Sequence, residues 1–320
     1  MNPLRIAICG FGRFTKKRIL PVLNKSSRFE VIAIVGKGYK ESEDKKLLWF
    51  ETIDELFQST MIDCIYIATP NYLHASQTIK CLKKGVHVFC EKPMAINSVD
   101  CKQMIFEAEK NKLQLSIGHM LRYSTAINKV KNLIENNILG VIHSLKILFN
   151  YDVKYNQRSW AISKEYSGGG ALIDAGVHCI DTIQYLINED IKIEDCKLGL
   201  IDKSLIEHEI ESNFTVKNIK CSMQVNSNKD YLSHLEIFSD NGLLTLENFA
   251  STSSSVKFKF VSSDNKNISE YIDVEDTYQN QMDDFADNIN SFQPDLSNTF
   301  QALNNIKVVE KIYEILKIVN

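Results

Sequence analysis

The first third of the chain alternates short apolar runs with longer stretches whose apolar residues recur at helical spacing. The apolar runs are nearly continuous in Val, Ile and Leu, as in strands that helices cover on both faces, and lie at 4–9, 29–36, 63–69, 86–91 and 113–119. The helical stretches lie between them, at 13–25, 52–58, 71–85 and 98–112. This repeated order of strand and helix predicts a doubly wound parallel sheet in an α/β protein.

The pattern changes after residue 140. Residues 141–153 alternate apolar and polar positions, and 193–273 contains several long strands between Asn-, Asp-, Gly- and Ser-rich turns. Within it, Asn241-Gly242 favours a hairpin with two positive-φ positions. Two helices, at 276–291 and 298–318, end the chain. This half therefore fits an antiparallel sheet that carries a helix on one face.

Composition excludes several functional classes. The formal net charge of 320 residues is −3, with the lysines scattered, so we expect no nucleic-acid or lipid partner. No apolar run reaches the roughly 18–20 residues of a membrane helix, and the first residues are typical of a strand rather than a secretory signal. The eight cysteines show no metal-binding spacing. We therefore expect a cytoplasmic protein with reduced, buried thiols and no metal site.

A glycine turn follows the first strand. Gly10 and Gly12 allow a tight turn and close approach of a pyrophosphate to the helix that Arg13 and Phe14 begin. Thr15 stands where a third small residue is usual. The motif is weak alone, but a strand precedes it and a helix and second strand follow, so we predict a Rossmann dinucleotide site.

The end of the second strand bears on the choice of cofactor. An acid at this position would bind a ribose 2′-hydroxyl, but the chain has Gly36 followed by Lys37. A missing carboxylate and an added cation suit a 2′-phosphate, so NADP(H) is favoured over NAD(H). The alternative is that Lys37 is a solvated loop lysine.

The loop after the third strand, 68–74, would lie along the dinucleotide crevice. Thr69, Pro70 and Asn71 shape its turn, and we count them with His74 among the candidate cofactor-binding residues. A histidine at this position is more typical of packing than of catalysis.

The fourth strand ends in Glu91-Lys92-Pro93. Its carboxyl end faces the same crevice, so Glu91 and Lys92 are candidate cofactor contacts. Lys92 is also a candidate to hydrogen-bond a substrate oxygen. In isolation, the motif would equally suit an ordinary surface pair.

Three glycines, 168–170, precede a helical run that places Asp174, His178, Asp181 and Tyr185 on one stripe. One interpretation is a solvated polar face. Against it, the stripe lacks lysine, arginine and glutamate, and the glycines allow close approach of another group, such as a flat ring. A histidine four residues after an aspartate can be oriented by it.

Taken together, these motifs resemble the glucose–fructose oxidoreductase / inositol dehydrogenase (Gfo/Idh/MocA) family. The specific part is EKPMA followed by GGGxLxDxGxHxxD, and the similarity extends over essentially the whole chain. It implies a Rossmann domain over 1–121. It also implies an α+β domain over 122–320 on a large, mostly antiparallel open sheet for substrate binding and oligomerisation, with a terminal helix that can pack back on the first domain.

The resemblance also implies a chemistry: hydride transfer between a nicotinamide and a hydroxyl or keto carbon of a sugar, cyclitol or sugar nucleotide. Lys92 would contact the reacting oxygen, His178 would be the general acid/base, and Asp174 would place the substrate or the histidine. Arg122, Arg158 and Trp160 match motif positions near the substrate.

Two alternatives stay open beside this dehydrogenase or reductase. One is a non-enzymatic NAD(P)-binding regulator, which would be expected to have lost Lys92 or His178. The other is a glycosidase-like enzyme that oxidises and re-reduces its substrate on a tightly held nucleotide. In either enzyme, we expect a carbohydrate-like small molecule as partner and a homo-oligomer, a dimer or tetramer.

Overall fold

A computed structural model describes residues 2–37, 47–153, 159–252, 254–264, 266–291 and 293–318. The chain forms two compact units: Met1–Gly118 with Tyr278–Leu303, and His119–Thr277 with Asn304–Asn320.

The first unit is built on a six-stranded sheet whose paired strands are all parallel. Its strands are β1 (Leu4–Cys9), β2 (Phe29–Val35), β3 (Leu48–Phe50), β4 (Cys64–Ile67), β5 (His87–Cys90) and β6 (Leu115–Ile117), in the order β3-β2-β1-β4-β5-β6. The predicted doubly wound parallel sheet is therefore confirmed. The sequence pattern did not predict the three-residue β3.

The helices of this unit are α1 (Leu20–Lys25), α2 (Ile53–Ser59), α3 (His74–Lys83) and α4 (Ser98–Asn111). Two of them begin irregularly: a π-helical turn, Thr15–Ile19, precedes α1, and a 3-10 turn, Asn71–Leu73, precedes α3. Thr52 caps α2, because its hydroxyl accepts from the Glu55 amide at 3.2 Å.

Burial explains the continuous apolar runs of the first unit. All residues from Ile6 to Cys9 in β1 and all of β4 are buried, as expected when helices cover both faces of a sheet. Phe89 of β5 stacks on Tyr66 at 5.1 Å between ring centroids and meets Phe285 edge-on at 5.4 Å.

The second unit is built on an eight-stranded sheet. Its strands are β7 (Ile142–Asp152), β8 (Ile191–Leu198), β9 (Glu209–Val216), β10 (Ile219–Asn226), β11 (Asn228–Ser239), β12 (Gly242–Glu247), β13 (Val256–Ser262) and β14 (Asn267–Ile272), in the order β14-β13-β12-β11-β7-β10-β9-β8. Only the β7–β10 pair is parallel among these described strands. The large, mostly antiparallel sheet is therefore confirmed.

The hairpin between β11 and β12 differs from its prediction in one respect. Ser239 pairs with Gly242, so the two-residue loop is Asp240-Asn241. Of these four residues only Gly242 has a positive φ, at 141°. An added Cβ on Gly242 would lie 2.1 Å from the Val261 carbonyl oxygen. The glycine therefore serves close contact between strands.

The helices of the second unit are α5 (Thr125–Glu135), α6 (Lys164–Ser167) and α7 (Val177–Ile187), with a π-helical turn, Leu172–Gly176, just before α7. Helix α7 packs between β7 and α5. Every residue from Val177 to Gln184 is buried, so the solvated polar face considered above is wrong for this helix.

Two helices, α8 (Thr277–Asn290) and α9 (Ser297–Ile315), end the described chain. Nearly all of α8 belongs to the first unit, where Met282, Phe285 and Ala286 join its core, and α9 continues from the first unit into the second at Asn304. Within the described ranges, no helix has both the length and the hydropathy needed to cross a membrane.

Candidate functional site

The turn after β1 contains two glycines whose surroundings differ. Gly10 has φ +93°, and an added Cβ would lie 2.4 Å from the Ala68 carbonyl oxygen. An added Cβ on Gly12 would meet no described atom within 4 Å. Thr15 is buried, and its hydroxyl donates to the Gly10 carbonyl at 2.8 Å. This arrangement fits a dinucleotide pyrophosphate, with Thr15 closing the turn that a third small residue usually closes.

The other predicted residues of this edge are exposed. Arg13 and Phe14 follow the turn, and the Phe14 ring meets Tyr278 edge-on at 5.5 Å. After β2, the Gly36 amide donates to the Phe50 carbonyl at 2.9 Å, and Lys37 is exposed at the carboxyl end of the strand.

The loop after β4 is held by side-chain hydrogen bonds. The Thr69 hydroxyl donates to Gln77 at 2.6 Å. The His74 ring is buried and joins this loop to the loop after β5: Nε2 lies 2.9 Å from the Thr69 carbonyl oxygen, and Nδ1 lies 2.8 Å from that of Pro93. Pro70 is half-buried in this turn, and Asn71 is buried at the start of the next helical turn.

Both nitrogens of the His74 ring lie at hydrogen-bond distance from a carbonyl oxygen, so the protonation state of the ring decides how many hydrogen bonds it donates. Burial lowers the pKa of His74, the bonds to Pro93 and Thr69 oppose this, and the Lys92 charge lowers it further. A neutral imidazole has one N–H, so only the doubly protonated ring donates to both carbonyls.

Glu91 and Lys92 follow β5 directly, and both side chains are half-buried. The Glu91 carboxylate accepts from the Tyr66 hydroxyl and, at 3.2 Å, from the Lys92 amide. Burial raises the pKa of the Glu91 carboxyl, while the Tyr66 hydroxyl and the Lys92 charge oppose the rise. The Lys92–Pro93 peptide bond is cis.

In the second unit, the predicted Asp174 and His178 flank the junction between the π turn and α7. Asp174 is half-buried within the π turn, and His178 is 9% exposed at the start of α7. Two further rings lie near His178, those of His119 and Phe149, each with its centroid 6.4 Å away.

Arg122 lies beside the other two residues of the predicted stripe, Asp181 and Tyr185. The Arg122 guanidinium donates to Asp181 through Nε at 2.9 Å and also through Nη2, and it lies 5.7 Å from the centre of the Tyr185 ring. The Tyr185 hydroxyl donates to Asn128 at 2.7 Å. Arg122, predicted as a substrate contact, thus lies in a buried ion pair with Asp181, one helical turn beyond His178.

Asp181 has further partners inside the same unit. Asn305 of α9 donates to its carboxylate at 2.7 Å, and His119 Nδ1 lies 3.6 Å from it. Burial alone would raise the pKa of Asp181, but Arg122, His119 and Asn305 lower it to about 2. The carboxylate therefore stays charged in a buried environment.

The three glycines before the π turn pack against a tyrosine and a glutamate. An added Cβ on Gly169 would lie 1.9 Å from the Tyr313 hydroxyl oxygen, and one on Gly170 would lie 2.1 Å from the Glu207 carbonyl oxygen. A ring was expected to approach these glycines, and the Tyr313 ring of the chain itself does so at Gly169.

The remaining predicted residues lie before this segment. Trp160 is half-buried in a 3-10 turn, Ser159–Ile162. Arg158 falls outside the described residues. Within the described ranges, no group of three or more His, Cys, Asp or Glu side chains could hold a metal ion.

The two units match two domains of one protein family. Residues 4–119 match the GFO_IDH_MocA model, described as an oxidoreductase family with an NAD-binding Rossmann fold, and 127–245 match the GFO/IDH/MocA C-terminal domain. The chain belongs to the Gfo/Idh/MocA oxidoreductase family. Together, the two matches include all the predicted catalytic residues.

Individual relatives are more distant. The chain is 37% identical over 153 residues to glucose-6-phosphate 3-dehydrogenase of Bacillus subtilis strain 168, covering 46% of this chain and 43% of the relative. It is 34% identical over 153 residues to 2,7-anhydro-N-acetylneuraminate hydratase of Escherichia coli K12, covering 48% and 41%. It therefore spans less than half the length of these relatives.

A solved structure shares the fold over nearly the whole chain. The 3-ketoreductase KijD10 from Actinomadura kijaniata, in complex with NADP and TDP-benzene, superposes with a TM-score of 0.90 at 19% identity, covering 98% of each chain.

Several residues around these candidates were not predicted from the sequence. Tyr66 lies in an apolar strand run, but a buried phenol normally needs a hydrogen-bond partner, which here is Glu91. His119, Glu207 and Asn305 carry no local signal, because the partners described for them are 35 or more residues away in the chain.

Proposed function

We propose that this protein transfers hydride between a nicotinamide dinucleotide and a hydroxyl or keto carbon of a sugar, cyclitol or sugar nucleotide. One observation carries the proposal. Strands β1, β4 and β5 are neighbours in a parallel sheet, so the loops that follow them lie at one edge. These loops carry the open Gly12, the Thr69–Asn71 turn and Lys92, as expected for a dinucleotide site with a cation beside it.

The bound nicotinamide supplies the hydride chemistry, and the side chains move the proton and stabilise charge. We assign the proton to His178, because imidazole titrates near neutrality and serves oxidation and reduction alike. We assign Lys92 to the reacting oxygen, where an ammonium group stabilises a developing alkoxide. Asp174, one helical turn before His178, places the substrate or the imidazole.

The proposed cofactor is NADP(H) rather than NAD(H). The missing carboxylate at Gly36 and the exposed cation of Lys37 support this choice. Two further predictions from the sequence, a cytoplasmic location and a dimer or tetramer, stay predictions.

The test measures turnover and nucleotide binding separately. The wild-type protein is titrated with NADP and NAD by calorimetry, then assayed for reduced nicotinamide with glucose 6-phosphate, myo-inositol and a TDP-sugar. Lys92→Ala and His178→Ala should each lower kcat at least roughly 100-fold. NADP binding should change by no more than about twofold.

Two matched substitutions control for loss of charge or ring. Lys84→Ala removes an exposed lysine at the end of α3, and His143→Ala removes an exposed histidine bonded to Asp240; both should leave kcat unchanged. Nucleotide binding without turnover of any sugar derivative would favour the regulator. Full activity in Lys92→Ala or His178→Ala would refute the assignment of that residue.

One comparison favours a second candidate function. The Escherichia coli relative is named a hydratase, which is a conversion without net oxidation. We propose as the alternative that the nucleotide is retained and not consumed. Product formation by chromatography, with no change in reduced nicotinamide, would support this alternative over the dehydrogenase.

A further inference from the structure

Glu207 is a fully buried carboxylate in the connection between β8 and β9. The Gly170 amide donates to both of its oxygens, at 2.8 and 2.9 Å, and the Leu172 amide donates to Oε1 at 3.0 Å. The amide between them, that of Ala171, donates to the Glu207 carbonyl oxygen at 2.8 Å. Glu207 thus accepts hydrogen bonds from three consecutive backbone N–H groups, those of residues 170–172.

These N–H groups lie at the amino end of the helical segment that carries Asp174 and His178. The first amides of a helix have no partner within it, and in a buried position they need an acceptor from elsewhere. A carboxylate is well suited to this end because the helix dipole favours negative charge there. Glu207 therefore sets where the helical segment begins.

Tyr313 and two glycines complete this contact. The Tyr313 hydroxyl donates to Glu207 Oε1 at 2.8 Å. A Cβ on Gly169 would collide with Tyr313 and one on Gly170 with the Glu207 backbone, at 1.9 and 2.1 Å. We call Glu207, Tyr313, Gly169 and Gly170 the Glu207 clamp. The glycines let it close on the backbone.

The clamp acts on a segment whose geometry is not regular. The turn after it, Leu172–Gly176, is π-helical and contains Asp174, and α7 with His178 follows at once. A π turn accommodates more residues than an α turn, so its relaxation would rotate Asp174 relative to His178. An anchor at the start of the turn opposes that rotation.

We propose that Glu207, supported by Tyr313, is a positioning residue that holds Asp174 and His178 in their catalytic register. The proposal rests on the proposed function, in which His178 moves the proton. Glu207 touches neither group through the contacts described and acts through the backbone of 170–172.

The charge and the hydrogen bonds of the Glu207 carboxylate determine which substitution tests its role most directly. Burial raises the pKa of the Glu207 carboxyl, and the Tyr313 hydroxyl and the Leu172 and Gly170 amides oppose the rise. Glu207→Gln keeps the side-chain shape but turns one acceptor oxygen into a donor facing the amides. Glu211→Gln is the matched control, because Glu211 is exposed on β9 and bonds Gln224.

The experiment compares wild type, Glu207→Gln, Tyr313→Phe and Glu211→Gln. Misplacement by about 1 Å costs roughly 100-fold in rate, so Glu207→Gln should lower kcat roughly 10- to 100-fold and displace the His178 limb of the pH profile. NADP binding should stay within about twofold. Amide hydrogen exchange at Gly170 and Leu172 should accelerate most in Glu207→Gln, less in Tyr313→Phe and not at all in Glu211→Gln.

A readout independent of turnover separates this proposal from the proposed function. The ring resonances of His178, assigned with His178→Asn, are titrated in histidine-labelled protein. A displaced titration in Glu207→Gln supports the clamp even if no sugar is turned over. Unchanged kcat, pH profile and titration, with accelerated exchange, would reduce the clamp to a structural role and overturn the proposal.

Tyr313→Phe keeps the proposal testable if Glu207→Gln does not fold. It removes one donor to Glu207 and leaves the carboxylate on the two amides. We expect an intermediate loss of kcat, roughly threefold to 10-fold, with a smaller displacement of the His178 titration. A Tyr313→Phe enzyme identical to wild type in both measurements would contradict the clamp.

Discussion

His74 connects the two loops that carry the proposed cofactor and oxygen-binding groups of the first unit. His74→Ala would remove the one N–H that the neutral ring donates to the Thr69 or the Pro93 carbonyl in a buried environment, at a cost of about 1–3 kcal/mol. Because the second carbonyl directly follows Lys92, we expect weaker NADP binding and lower kcat together with lower stability. Chemical unfolding, calorimetry and turnover measure the three effects.

The matched control for His74 is another histidine of the first unit. His87 accepts from the Gln114 amide at 2.9 Å at the amino end of β5, the end opposite Lys92. His87→Ala should lower stability but not NADP affinity. If His74→Ala and His87→Ala affect binding and turnover equally, His74 has no special role in holding the Lys92 loop.

At the scale of elements, the hydrophobic pattern predicted most strands, and β9 and β10 are two of the long strands predicted within 193–273. Alternation marks such strands because one face is buried and the other is not. The sequence also contained the signal for α5, whose buried Ala126, Ile127 and Val130 have helical spacing, although we did not predict this helix. The π turn before α7 has no local signal, since the backbone at its start is held by the distant Glu207.

The turn between β1 and the first helix contains two glycines with different roles, close backbone contact at Gly10 and space for the cofactor at Gly12. The two roles can be tested separately. Gly12→Ala places a methyl group in open space, so the protein should fold normally. The methyl group would occupy the proposed path of the pyrophosphate and weaken NADP binding about 10-fold or more. Gly10→Ala collides with Ala68 and should destabilise the unit by about 2 kcal/mol or more.

Gly85→Ala separates backbone strain from contact in this comparison. Gly85 has φ +80°, close to that of Gly10, but an added Cβ meets no described atom within 4 Å. It should cost only about 1 kcal/mol. Thermal unfolding and NADP titration of the three variants decide the matter. Normal NADP affinity in Gly12→Ala would exclude the proposed pyrophosphate position.

At the scale of the whole molecule, the sequence predicted the strands of the two sheets and the motifs that carry the proposed chemistry, because the pattern that marks a strand or a motif is local in the chain. It did not predict the pairs that join distant segments, such as Arg122 with Asp181 or Glu207 with Gly170. A buried carboxylate shows its role only through its partners. Asp181, expected on a polar stripe, is instead a charged group inside the second unit.

This buried ion pair predicts how the molecule responds to acid. The pKa of Asp181 falls from 3.8 to about 2 in the folded chain. A carboxyl group whose pKa is lower in the folded than in the unfolded chain stabilises the fold at pH values above its unfolded pKa. That stabilisation, about 2 kcal/mol here, is lost as the pH falls through the folded pKa. Burial raises the pKa of the Glu91 and Glu207 carboxyls, so their ionisation lowers stability as pH rises, and these two groups do not make the fold less stable in acid.

The two tryptophans locate the acid effect, because Trp49 lies in the first unit and Trp160 in the second. In single-tryptophan proteins, Trp160 fluorescence should report weaker resistance to urea between about pH 4 and about pH 2. Asp181→Asn should remove this dependence and lower stability near neutrality by about 3–5 kcal/mol, since Arg122 stays buried without a charged partner there. Asp54→Asn, which removes an exposed partner of Lys80, is the control. Equal acid sensitivity in Asp181→Asn and wild type would show that the pair does not determine the response.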